Sequence, residues 1–129
     1  MDPRPQKRYA LFFICVCVFS SFYQISNAEA ARFSGSYLRE ICNINKDGTE
    51  KVPGGHVACQ AYIAGVIDYH NVLRSLNLAP RVDICVPENV KMWDLHKAVL
   101  IFLIRDRTHD GFVASPAVTM ALRQEYPCR

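Results

Sequence analysis

The chain has 129 residues, half of them hydrophobic, with 15 basic and 12 acidic side chains and a formal charge of +3. That length allows one domain with one modest core. The charge excess is small and no basic stripe with interleaved aromatics accompanies it, which argues against nucleic acid as a partner.

The first thirty residues read as an export leader. Arg4, Lys7 and Arg8 precede an apolar run from Ala10 to Phe19, and Ser26-Asn27-Ala28-Glu29-Ala30 supplies small residues for cleavage before Ala31 or before Glu29. The run is shorter than the about 20 apolar residues needed to cross a bilayer, so no membrane anchor is expected after cleavage. The six cysteines divide accordingly. Cys15 and Cys17 lie in the leader, whereas Cys42, Cys59, Cys85 and Cys128 fall in the remaining domain, residues 31–129. Four cysteines in a small exported domain read as a two-disulfide framework in the periplasm or outside the cell. A core of this size is marginal, and each disulfide would contribute about 2–4 kcal/mol by restricting the unfolded chain.

Four helices are expected after the leader. The first spans about Ser36 to Cys42, with Ser34 or Ser36 as its cap and Tyr37, Leu38 and Ile41 on one side. Asn45-Lys46-Asp47-Gly48 and Pro53-Gly54-Gly55 mark an irregular loop. The second helix runs from about His56 to Leu76, with Cys59, Ile63, Val66, Ile67, His70 and Leu73 at helical spacing. Ala61, Ala64, Gly65 and Val72 make its other face apolar too, which predicts a central place in the bundle. Gly65 costs about 1 kcal/mol relative to alanine, so close approach by a neighbouring backbone is its expected role. The third helix is predicted over Val90–Asp106 with Asn89 as cap. Its core stripe is Met92, Leu95, Val99, Phe102 and Leu103, and a second apolar patch joins Trp93, Leu100, Ile101 and Ile104. A charged link from Arg105 to Gly111 leads to the last helix, with Ser115 as cap, Pro116 at the first helical position and Pro127 as stop. No strand pair, internal repeat or low-complexity tract is visible. The fold expected is all-α, a bundle of about four helices stapled by two disulfides.

Four cysteines allow three connectivities, which sequence alone does not separate. Antiparallel helix packing favours Cys42–Cys59, joining the first helix's end to the second's start, and by the same logic Cys85–Cys128. Pairing Cys59 with Cys85 would require the chain to retrace some 25 Å of helix.

The candidate chemistry is thin. His56 and Cys59 stand three apart, but zinc sites show paired short spacings, and oxidised cysteines cannot ligate, so no metal or cofactor is expected. Asp68, if enclosed, needs a partner on another helix, because burying a lone carboxylate costs several kcal/mol. His70, two residues on, does not face Asp68 along a helix, so no Asp–His catalytic pair forms. With no nucleophile, metal set or carboxylate pair, an enzyme is not expected. The remaining candidates are Trp93, Leu100 and Ile104, an apolar strip that either packs within the monomer or meets a partner or second subunit, and Arg105, Arg107, His109 and Asp110 in the charged link, which reads as a solvated loop or as a recognition surface.

Two stretches, Tyr37-Leu38-Arg39-Glu40-Ile41-Cys42 and Cys59-Gln60-Ala61-Tyr62-Ile63-Ala64-Gly65-Val66-Ile67-Asp68, begin a longer pattern. It continues through Ile84-Cys85-Val86-Pro87, Ser115-Pro116-Ala117, Ala121-Leu122 and Tyr126-Pro127-Cys128. As a set it resembles the Rap/Tai family of periplasmic immunity proteins. The resemblance implies a small helical periplasmic protein, often a homodimer, that neutralises a peptidoglycan amidase effector of type VI secretion by binding over its active site. The matching residues, Gly65 and Asp68 among them, are scaffold positions, so the resemblance carries over no inhibitory residue. A periplasmic chaperone binding clients through the apolar patch is the competing expectation, and a carrier of small apolar ligands is a third.

Overall fold

A computed structural model of the chain describes residues 33–78 and 83–128. The leader and its Cys15 and Cys17 lie outside the described residues. Among the described residues there are four helices and no strand: α1 Gly35–Cys42, α2 Gly55–Ser75, α3 Met92–Arg105 and α4 Ala114–Glu125. The disulfides are Cys42–Cys59 and Cys85–Cys128, with Cα–Cα distances of 5.2 and 5.0 Å. The first joins the end of α1 to the start of α2. The second ties the segment before α3 to the chain leaving α4, where Cys85 N–H also donates to the Tyr126 carbonyl. None of the four helices is long and apolar enough to cross a membrane.

The helix ends follow from local chemistry. Ser34 caps α1, its Oγ accepting from Tyr37 N–H at 3.1 Å. The loop before α2 is a tight reversal, with Asn45 N–H bonded to Thr49 O and Gly48 at φ +83°. The Glu50 carboxylate then accepts from the N–H groups of Gly54 and His56, at 2.8 and 3.2 Å, satisfying donors that the start of α2 would leave open. The third helix starts later than Val90, and Asn89 is not its cap. Pro87 to Val90 close a turn of their own, and the Lys91 carbonyl receives the first helical bonds from Asp94 and Leu95. The last helix starts earlier than predicted. Ser115 lies inside it, because Ala114 N–H is drawn to Phe33 O at 2.7 Å and Val113 occupies the cap position. Pro116 still falls in the first turn, where a missing N–H costs nothing.

The core takes Leu38 and Ile41 from α1, Ile63 from α2, Leu95, Val99 and Leu103 from α3, and Ala117, Val118 and Leu122 from α4. Full burial of each large aliphatic contributes about 1.5–3 kcal/mol. Two features of α2 differ from expectation. Its small-residue face is open rather than central, and only Gly55, Cys59, Ile63 and His70 of its 21 residues are buried. Gly65 meets no atom within 4 Å of where a Cβ would stand, so no neighbouring backbone uses it. Close approach occurs instead at Gly55, where a Cβ would lie 2.5 Å from the Ile41 carbonyl oxygen, and at Gly35, where one would collide with the His109 carbonyl oxygen. The helical periodicity marks α2 correctly, but its small side chains leave a groove where a packed neighbour was expected.

These glycines predict opposite mutational outcomes. Gly55→Ala should lower the urea midpoint markedly, because backbone atoms must shift to admit the methyl group. Gly65→Ala should raise stability by up to about 1 kcal/mol through helix propensity alone.

Candidate functional site

The predicted surface residues divide between two places. Arg105, Arg107, His109 and Asp110 gather at the C-terminal end of α3, whereas Trp93 lies some 18 Å away along the helix axis, in its first turn. Ile101 and Ile104 are exposed between them. Leu100 does not belong to this strip. It is 7 % exposed and joins the core, because α3 packs on its neighbours through a wider face than the predicted stripe. Asp68 is exposed and has no interhelical partner among the described residues, so the expected buried bond is absent. His70 is buried, its Nε2 3.1 Å from an Asp83 carboxylate oxygen.

The segment after α3, residues 106–113, is held at nearly every position. Asp106 accepts from both the N–H and the hydroxyl of Thr108, which lowers its pKa below the usual carboxylate range. Asp110 is clamped between Arg39, reaching across from α1, and Arg107 Nε at 2.7 Å. The bond to Arg39 is the main cause of its lowered pKa, followed by that to Arg107. The His109 ring packs on Phe102, with centroids 5.8 Å apart.

The backbone of this segment serves α1 directly. The carbonyls of Phe112 and Asp110 accept from Gly35 and Ser36 N–H, at 3.0 and 3.2 Å, satisfying orphan donors of the α1 first turn. Phe112 is thereby fixed through its backbone while its side chain is 69 % exposed. Helical periodicity does not mark it. The signal was an aromatic immediately after Gly111 in an otherwise charged stretch.

At the other end of α3, Trp93 contacts two histidines, with ring centroids 5.3 Å from His56 and 4.7 Å from His96. His96 is fully buried, and its Nε2–H donates to the Cys42 carbonyl at 2.7 Å. Desolvation dominates its titration and pushes its pKa below the ordinary 6.5, and the neighbouring His56 acts in the same direction.

A third feature is an apolar groove of about 680 Å³ between α2 and the start of α4. Tyr62, Val66, Tyr69, Leu73, Pro116 and Met120 line it around Ala61 and Gly65. Tyr69 and Met120 are substantially exposed. The groove was invisible in sequence because its apolar residues match the pattern of a buried face.

His96 makes stability pH-dependent with a definite sign. Its folded-state pKa is depressed, so the unfolded chain binds more protons on acidification. The stabilisation is complete above the unfolded pKa and is lost as pH falls from there to the folded value. Urea midpoints followed through Trp93, the only tryptophan, should therefore fall as the pH is lowered through the ordinary imidazole range near 6.5 and below it. His96→Gln, which keeps a donor for the Cys42 carbonyl, should flatten that dependence.

A family model for Rap1a immunity proteins matches residues 34–128. No curated protein and no solved structure matches the chain. The matched span runs from the Ser34 cap to Cys128, taking in all four helices, both disulfides and the clamped 106–113 segment. The chain belongs to the Rap1a immunity protein family.

Proposed function

We propose that this protein is exported to the periplasm and there binds and occludes a peptidoglycan amidase effector of type VI secretion. The family implies a protein partner and inhibition in place of catalysis. Two disulfides and membership of an immunity family mark an extracytoplasmic protein. The observation that carries the docking assignment is the rigid 106–113 segment. It presents Phe112 and Arg107 to solvent, with its backbone already ordered by α1, and it follows the exposed Ile104 and Arg105 at the end of α3. Preordering lowers the entropy cost of association, and aromatic and arginine side chains dominate interface energetics. Steric occlusion needs nothing more from the protein than a shape that holds.

The groove on α2 suits a second copy of the chain, consistent with a homodimer that leaves the 106–113 segment free. The same open apolar surface favours the alternative, a periplasmic chaperone that binds unfolded clients there. The two readings differ in selectivity. Tight binding to one partner supports immunity, whereas suppression of aggregation across unrelated substrates supports the chaperone.

The expected partner is an amidase encoded beside this gene, and its absence from that neighbourhood would count heavily against immunity. In calorimetric titration against that amidase, Phe112→Ala should weaken binding at least tenfold while leaving the thermal midpoint unchanged, since a hot-spot truncation costs about 2 kcal/mol or more. Tyr69→Glu should convert a dimer to monomer in sedimentation velocity, and unchanged sedimentation would remove the groove from the dimer assignment.

A further inference from the structure

The Cys42–Cys59 disulfide lies against His96, and His96 in turn meets His56; each of these histidines has one buried ring nitrogen with no hydrogen-bond partner among the described residues. The Cys42 carbonyl can only accept, so its 2.7 Å bond fixes the His96 proton on Nε2 and leaves Nδ1 with a bare lone pair. That Nδ1 is buried and has no hydrogen-bond partner among the described residues. His56 repeats the arrangement from α2. Its Nδ1 lies 3.7 Å from a Glu50 carboxylate oxygen, and its Nε2 is buried without a partner among the same residues. The two rings meet edge to face, with centroids 5.1 Å apart. Both sulfurs and one ring nitrogen of His96 lie within 4.8 Å of one another. Metal-binding imidazoles commonly hold their second nitrogen against a carbonyl or carboxylate, which orients the ring and raises its basicity. Here one histidine is set against each.

We propose that the reduced domain binds a zinc ion at this position, through the Cys42 and Cys59 thiolates, His96 Nδ1 and His56 Nε2. A dithiol reductant supplies two electrons and two protons and leaves as its own disulfide, so the Cys42–Cys59 bond breaks to two thiols. Zinc then displaces both thiol protons to solvent. Tetrahedral Cys2His2 coordination places donor atoms about 3.3–3.8 Å apart, so the sulfurs must separate, the His96 ring must close on them by roughly an ångström, and the His56 side chain must swing in to complete the set. His56 and Cys59 share the first turn of α2, and Cys42 ends α1. The metal therefore joins the same two helix ends as the disulfide, and the two staples exclude each other. An oxidised pair has no thiolate to give. The domain thus has a way to hold α1 against α2 in either redox state, independently of how an effector is bound.

The test uses the full chain carrying Cys15→Ser and Cys17→Ser, so that only the domain's thiols respond. It is reduced with a dithiol, freed of it without oxygen, and titrated with Zn²⁺ against a chromophoric chelator. One equivalent should bind at least about 100-fold more tightly than to the oxidised protein, because the thiolates exist only after reduction. Adding Cys85→Ser and Cys128→Ser should leave that binding in place. His96→Ala and His56→Ala should each weaken it, and Co²⁺ should give the ligand-field and charge-transfer bands of a tetrahedral thiolate site. If the reduced chain loses helix in circular dichroism, zinc should restore it. Equal zinc affinity before and after reduction would overturn the proposal. So would wild-type affinity in both histidine variants, a Co²⁺ adduct without thiolate bands, or a reduced chain that zinc leaves unfolded.

Discussion

The contact on which the rest of the structure depends is the meeting of the α1 C-terminus with the α2 N-terminus. There the Ile41 carbonyl reaches a backbone that only Gly55 leaves open, and Cys42 is bonded to Cys59. The adjoining Cys42 carbonyl is taken by His96 of α3. Three helices are therefore fixed to one another within two residues of chain. The disulfide closes a loop of 17 residues, which corresponds to about 3 kcal/mol of unfolded-state restriction on the chain-entropy model. In a domain with one modest core, that is a large part of the margin by which the folded state wins.

The other end of α1 is treated the same way by different means. Its first N–H groups are satisfied by carbonyls of the 106–113 segment, and Gly35 lets the His109 backbone approach. Arg39, one turn further on, pairs with Asp110 and fastens the same segment from its side chain. One short helix thus organises the molecule at both ends. Its C-terminus joins α2 and α3, and its N-terminus orders the loop proposed to bind the partner. The proposed docking loop and the disulfide staple thus share one element, at opposite ends of it.

Much of this was legible in the residues. Ser34 before Tyr37-Leu38 announces a helix start, the apolar spacing in α2 and α3 is unambiguous, and the position of cysteines at helix ends is enough to favour the observed pairing. The faults arose where a local rule met a tertiary demand. Ser115-Pro116 is a strong start signal, yet bonding of Ala114 to Phe33 moved the helix start before it. Gly65 carries the expected helix penalty without the close neighbour that would explain it, while Gly35 and Gly55, at helix starts, accept the contacts. Leu100 sits near the border of two faces, and only the packing of α3 decides that it turns inward.

The sequence by itself determined the class, the number of helices and which four cysteines make the disulfide framework, because each depends on residue type at short spacing. Tertiary structure decided which faces stay open. A run such as Ala61, Gly65 and Tyr69 has the same pattern whether it is packed or bare, and the difference lies in whether another helix arrives. It also decided what Phe112, Asp68 and the paired histidines face. Those environments are assembled from segments distant in the chain, and no local period encodes them.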